Sequence, residues 1–427
     1  MNSFHHLNSL RPSRFSKPGR SFYHTSLVII TMIISLFFSC SPPVATLTVE
    51  GGEHFREKTP VSFTYPLSTS YQSMILEDLS NGNQTVAQRK DGDEWIFLLD
   101  SPLQPNETRE YQIIEKPAKL AGVNTEMDQD KITFRTPDKD IMTYYTSIQS
   151  PPEGSPQYYQ KSGFIHPFYR PEGQVLTDGF PSHHMHQHGI FFAWTNTQYK
   201  GEKVDFWNQH SGLGTVIHSK LIKAEPGPVF GRMIVELDHL AIPTGDTTVV
   251  LKETWDILVY NREDYFVWDI TSKQICQTDS PLHVVKYHYG GMGFRGNASW
   301  DAPEPEEGLE AYGPGQGRFL SSEGKTRTNG NHTRPKWASL YGEVDGVTAG
   351  LAAMDHPDNF RFPQPVRIHP NMPYFVFSPM VDGQFDLNKG EEYVSRYRIV
   401  SFQGEPDSEK LDQIWQDYAD APDASVR

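Results

Sequence analysis

Cysteine is almost missing from this chain: 427 residues hold two, Cys40 and Cys276. With Cys40 spent on a lipid, as argued below, no disulfide can form. The fold must then be held by its core, which a chain of this length can bury. Basic residues are in deficit as well. Thirty-eight Lys and Arg stand against 53 Asp and Glu, a formal net charge of −15. Such a surface repels nucleic acid, and no basic cluster argues otherwise. It also disfavours acidic polymers as substrates unless the site is locally basic. No apolar run is longer than the twelve residues 27–38, too few to span a bilayer comfortably. No P-loop, dinucleotide fingerprint, Gly-x-Ser-x-Gly elbow or Cys-x-x-Cys knuckle occurs, and no internal repeat.

What is plentiful is glycine (33), proline (32) and aromatic residues (12%), which favour strands and loops over helices. Arg11, Arg14, Lys17 and Arg20 precede the apolar run, and Ser39-Cys40 ends it. Residues 1–39 therefore read as a lipoprotein signal peptide, with Cys40 as the lipidated residue. The expected location is outside the cytoplasm, in the periplasm or at the cell surface, anchored in a membrane by lipid. Without those 39 residues the formal charge is −19.

Residues 40–115 alternate in short runs, with turns at Asn81-Gly82 and Asp91-Gly92. They are expected to form a small Ig-like β-sandwich acting as a spacer or docking module. Residues 116–130 are polar and read as a linker. Residues 131–405 carry a dozen further strand patterns, among them 190–194, 204–207, 232–237, 284–289 and 393–402. The expected class is all-β, with a large antiparallel β-sandwich following the small one. The segment 300–335 is dense in Gly, Pro and charge and reads as a long loop. A C-terminal helix and tail over 406–427 follow from the spacing of Leu411, Ile414, Trp415 and Tyr418.

Chemistry concentrates in Gly179–Trp194, where His183, His184, His186 and His188 fall within six residues. Read as the mouth of a buried strand, this stretch places His184, His186 and His188 on one face and His183 on the other. Buried imidazoles need partners, so three on one face point to a site more than to structure. His184 and His186 also have the spacing of metal ligands, the alternative to acid/base work. Thirteen histidines lie between His166 and His369. Three further stretches draw notice. Residues 283–295 run from an alternating pattern into a glycine-rich bend flanked by His288 and Arg295. Residues 327–337 offer Asn331, His332, Arg334 and Trp337, whose indole suits the apolar face of a sugar ring. Asp355 beside His356 could tune an acid/base pair. Each also has an ordinary explanation as a turn or solvated loop. Asp205, Trp207 and Asn208 form a weaker group, and Trp207 reads as core.

The run of motifs over 163–207, 287–295 and 327–377 resembles the bacterial family labelled "methane oxygenase PmoA", otherwise a domain of unknown function, across about 130–403. That family's central pattern is Asp-His-x-His-His-x-Gly. His184 and His186 match its first two histidines. His183 replaces the acid, Gln187 the third histidine, and His188 precedes the glycine. Methane oxidation does not fit, because a membrane monooxygenase subunit needs several apolar spans. The resemblance implies instead an exported component of polysaccharide utilisation, with a fold akin to galactose-mutarotase-like supersandwiches.

The expected function is that of a carbohydrate-active enzyme working on a sugar or oligosaccharide. Hydrolysis, elimination and epimerisation all remain open. His184, His186 and His288 are its expected acid/base groups. His188, Arg295, Asn331, His332, Arg334, Trp337, Asp355 and His356 would contact substrate. No cofactor is needed, and a divalent metal on His184 and His186 is the alternative. A non-catalytic glycan-binding lipoprotein is the competing class. It needs the aromatic and polar groups but no matched acid and base.

Overall fold

Strands form here where large apolar side chains alternate with polar ones. In Phe230–Ala241, Met233, Val235 and Leu237 are buried on one face while Glu236 and Asp238 turn outward. The computed structural model describes residues 45–67, 70–118, 121–242, 247–302 and 316–427. The signal-peptide and Cys40 assignments lie outside them.

The largest sheet has eight strands in the order Gly214–Glu225, Phe230–Ala241, Thr248–Tyr260, Val267–Cys276, Glu392–Gln403, Val347–Asp355, Trp337–Val344, Arg318–Ser321. All its pairings are antiparallel. A second eight-stranded sheet runs Val366–Ile368, Tyr374–Phe377, Gly291–Arg295, Ile190–Ala193, Ile165–Phe168, Asp140–Tyr145, Lys131–Arg135, Asn124–Met127. The inner faces of the two meet through aromatic pairs. Phe168 lies 5.9 Å from Trp268, Tyr144 5.9 Å from Trp255, and Phe377 5.3 Å from Tyr397, ring to ring. This is the expected large antiparallel sandwich. Four short strands, Glu202–Val204, Thr197–Tyr199, Leu282–Val284 and Phe385–Leu387, form a smaller sheet.

The N-terminal region is all-β with a core of its own, as expected: seven antiparallel strands whose edge members, Pro60–Thr64 and Asp423–Val426, approach each other so that the sheet folds over that core. It differs from expectation in two ways. Its last strand comes from the C-terminal tail, pairing with Ala45–Glu50. Nor is it a separate spacer, since residues 41–427 make one compact unit. Gln88 accepts hydrogen bonds from the backbone of Val229 (2.9 Å) and Phe230 (3.1 Å), and Val86 and Ile96 share an apolar cluster with Phe230, Trp337 and Leu411.

Three local readings are also corrected. The linker contains the strand Asn124–Met127, because its backbone pairs with Lys131–Arg135 despite exposed side chains. The patterns at 204–207 and 284–289 leave regular strand after Val204 and Val284. The long loop holds the strand Arg318–Ser321, zipped to Trp337–Val344. The helix forms as expected, Ser408–Ala419, with Asp407 capping the Lys410 amide (3.1 Å) and Leu411 and Ile414 buried. No helix among the described residues is long and apolar enough to cross a membrane.

Candidate functional site

The histidine stretch leads into the buried strand Ile190–Ala193, as expected, but is itself a closed loop rather than extended chain. The Gly189 amide donates to Asp178 O (2.7 Å) and the Arg295 amide to Gly189 O (2.7 Å), which pins both ends. Gly189 has φ 56°, and a Cβ there would sit 2.2 Å from Ile165 O, so only glycine fits. Inside the loop His184 takes φ 58° and accepts from the Gln187 amide (2.9 Å). That left-handed residue reverses the chain, so the side chains fan out instead of alternating.

The fan separates the four histidines. His188 is buried beneath the loop, with Nδ1 2.9 Å from Gly179 O and Nε2 2.7 Å from the Gln209 side-chain oxygen. It holds the loop and does not line the cleft that His184 and His186 line. His183 is also buried, its Nε2 3.6 Å from Asp301 Oδ1. His184 and His186 line a cleft of about 490 Å3.

Two histidines that the sequence did not single out join them. His210 comes from the short 3-10 turn Gln209–Ser211, and His369 follows the strand Val366–Ile368. Ring centroids run His210–His186 5.6 Å, His186–His184 5.7 Å, His184–His369 5.5 Å. The irregular segment 287–289 supplies an aromatic wall of tilted and edge-on rings. Tyr287 and Tyr289 lie 4.1 and 4.8 Å from the His288 ring. Trp207 and Tyr374 line the cleft as well, their rings 5.9 Å apart. Trp207 fits because Gly293 has no side chain: a Cβ there would lie 2.7 Å from the indole. The glycine-rich bend thus makes room for protein rather than for a ligand.

Burial, reinforced by neighbouring imidazoles and the Arg295 charge, pushes His184 down to about 4 and His186 to about 3, and His369 falls to about 3 for the same reasons. His288 is lowered by burial, then by Arg367 and His332. His184, His186 and His369 are therefore neutral imidazoles at pH 7. His369 Nδ1 accepts from the amides of Asn371 (3.2 Å) and Met372 (3.0 Å), which leaves the proton of the neutral ring on Nε2. Among the described residues, four buried polar atoms of cleft residues have no hydrogen-bond partner: His186 Nδ1, Trp207 Nε1, Arg367 Nε and Tyr374 Oη. Buried polar atoms rarely stay unpaired, so a cluster of them marks a place for a polar ligand or water.

The depressed values have a stability consequence. An unfolded imidazole titrates near 6.5. Between about pH 6.5 and 4 the unfolded chain binds more protons than the folded one, so stability falls as pH falls and is flat in this respect above 6.5. Thermal midpoints measured from pH 7 to 5, above most carboxylate titrations, are expected to drop, with a shallower slope in the His184→Gln, His369→Gln double variant. An unchanged slope would count against the depressed values.

The remaining candidates fall outside the cleft or behind it. Arg295 is fully buried, donating to Gln187 Oε1 (2.9 Å) and paired with Asp301, so it props the loop. Asn331 Oδ1 accepts from Arg367 Nη1 (3.0 Å), and His332 Nε2 lies 3.0 Å from His288 O; both position wall residues. Arg334 pairs with Asp382 and donates to Pro363 O (2.8 Å), away from the cleft. Trp337 is no sugar platform: it is wholly buried and donates to Asp412 Oδ1 (2.7 Å) on the C-terminal helix. Asp355 is core, accepting from the Gln364 amide (2.7 Å) and Asn359 Nδ2 (2.7 Å), and His356 packs 4.8 Å from the Tyr418 ring. Among the described residues no group of three or more His, Cys, Asp or Glu is arranged to hold a metal ion.

No curated protein matches the chain. Among solved structures, an α-mannosidase from Enterococcus faecalis V583 aligns with 90% of this chain and 46% of its own at 8% identity and a TM-score of 0.38. The chain thus spans less than half of that enzyme, and the score is too low to bear on activity. The resemblance to a methane oxygenase family is overturned, because the family model matching residues 131–416 is described as a family of unknown function, DUF6807. With that match spanning more than half its length, the chain belongs to the DUF6807 family.

Proposed function

We propose that the cleft is the active site of a carbohydrate-active enzyme, exported and tethered through Cys40, that moves protons on a sugar or oligosaccharide with neutral histidines. The observation that carries this is convergence: His184, His186, His210 and His369 arrive from three separate segments at one cleft. A cleft of about 490 Å3 is of ordinary ligand size. Tyrosine and tryptophan rings suit the apolar faces of a sugar, and the unpartnered polar atoms suit its hydroxyls.

The roles divide by protonation. His184 and His186, held neutral, serve as bases. His369, with its proton on Nε2, donates to a leaving or ring oxygen. His288 and Tyr289 position the ligand. The cleft contains one carboxylate, Asp205, and both its oxygens are taken. Oδ1 accepts from the Trp207 (3.0 Å) and Asn208 (2.9 Å) amides, and Oδ2 from Thr195 Oγ1 (3.0 Å) and Asn208 Nδ2 (2.8 Å). Paired-carboxylate hydrolysis therefore has little support, which leaves imidazole-driven chemistry.

A panel of mono- and oligosaccharides, read by product formation and by ligand-induced thermal shift, tests this. At least one sugar is expected to raise the melting temperature by mass action and to be turned over. Binding without turnover would replace the enzyme by a glycan-binding protein. No binding by any sugar would remove the carbohydrate assignment.

A further inference from the structure

The cleft is locally basic in a strongly acidic protein. Its ionised side chains are Lys203, Arg367 and Asp205. Asp205 is buried and saturated by the four donors given above. Arg367, on the strand Val366–Ile368, donates to the neutral Asn331 Oδ1 (3.0 Å), and its Nε is buried with no partner. Among the described residues neither Arg367 nor Lys203 forms an ion pair, although the chain has fifteen more acidic than basic side chains to offer. A guanidinium with an unpaired buried N–H, facing neutral imidazoles, is set to receive an anion. The overall negative charge does not prevent this. Charges farther away than the Debye length, about 8 Å at physiological ionic strength, are largely screened, whereas a contact pair in the cleft is not.

We infer that the ligand is an anionic sugar, a uronic acid residue, whose carboxylate is bound by Arg367 with Lys203 at the rim. This rests on the carbohydrate reading above and narrows its substrate class. The geometry favours a carboxylate on a sugar ring because the cation and the hydroxyl-binding groups line the same cleft. Tyr374 Oη, Trp207 Nε1 and the imidazoles take hydroxyls while the planar guanidinium takes the carboxylate in a forked contact.

The test is calorimetric titration of the whole mature protein with glucuronate and galacturonate, their neutral parents glucose and galactose, and inorganic sulfate. Uronates are expected to bind at least about tenfold tighter than their neutral parents and to weaken as salt rises. Arg367→Gln is expected to abolish that preference. Lys203→Gln, at an exposed position that cannot disturb the core, is expected to reduce it severalfold. Neutral sugars binding as well as uronates would overturn the inference and leave the carbohydrate function standing. Sulfate binding as tightly as uronate would overturn it too, showing a bare anion site. No binding by any of the five would overturn both. A preference that survives in both variants would remove Arg367 and Lys203 from the explanation and overturn the assignment.

Discussion

Replacing His369 by alanine is expected to lower turnover of a sugar substrate by about 10²–10⁴-fold, the usual contribution of a positioned acid or base. His186→Ala is expected to do the same. Neither change should cost much stability. His186 Nδ1 has no hydrogen-bond partner to lose, and His369 gives up two backbone contacts beside open cleft. His188→Ala should behave in the opposite way. It removes a wholly buried ring packed 4.9 Å from Phe180 and 5.4 Å from Phe164, and it strands Gly179 O. A loss of about 2–4 kcal/mol follows from the cavity and the unmet carbonyl together. Turnover per folded molecule should survive wherever the loop still closes. Parallel kinetics and chemical denaturation of the three variants decide the matter. If His369→Ala and His186→Ala unfold the protein as His188→Ala does, the cluster is structural and the site assignment falls.

The second large effect is on stability alone. Trp337→Ala is expected to cost about 3–5 kcal/mol, the range for truncating a fully buried large aromatic. Trp337 packs in the apolar cluster where the main sheet, the N-terminal sheet and the C-terminal helix meet, and its Nε1–H holds Asp412 of that helix. Its loss loosens three elements at once. Cleft chemistry should be untouched, because Trp337 does not line the cleft. Urea titration reads the first claim and turnover per folded molecule the second. A stable Trp337→Ala protein with weakened sugar binding would restore Trp337 as a ligand platform.

The sandwich was legible in the sequence because its signal is local. Val267–Cys276 and Glu392–Gln403 alternate as half-buried strands must, and such alternation needs no knowledge of partners. The strand Gly291–Arg295 was not legible. It is buried on both faces, so nothing alternates, and its glycines read as a bend. Asn124–Met127 failed for the opposite reason: its exposed polar side chains look like a linker, and only backbone pairing makes it a strand.

For the site, the sequence by itself determined where the histidines crowd, and His184 and His186 do line the cleft with His288 in its wall. Tertiary structure alone decided the rest. The left-handed turn at His184 replaced strand alternation with a fan, so His188 went inward despite its matching parity. His210 and His369 are solitary in sequence, 159 residues apart by their numbers, and no pattern links them. They reach one cleft because sheet topology brings the end of Val366–Ile368 and the turn after Trp207 to the same place as the histidine loop. Trp337 and Asp355 carry the right chemistry for a site, but the C-terminal helix covers them. Which polar residues are covered and which stay open depends on packing between distant segments, and no local pattern encodes it.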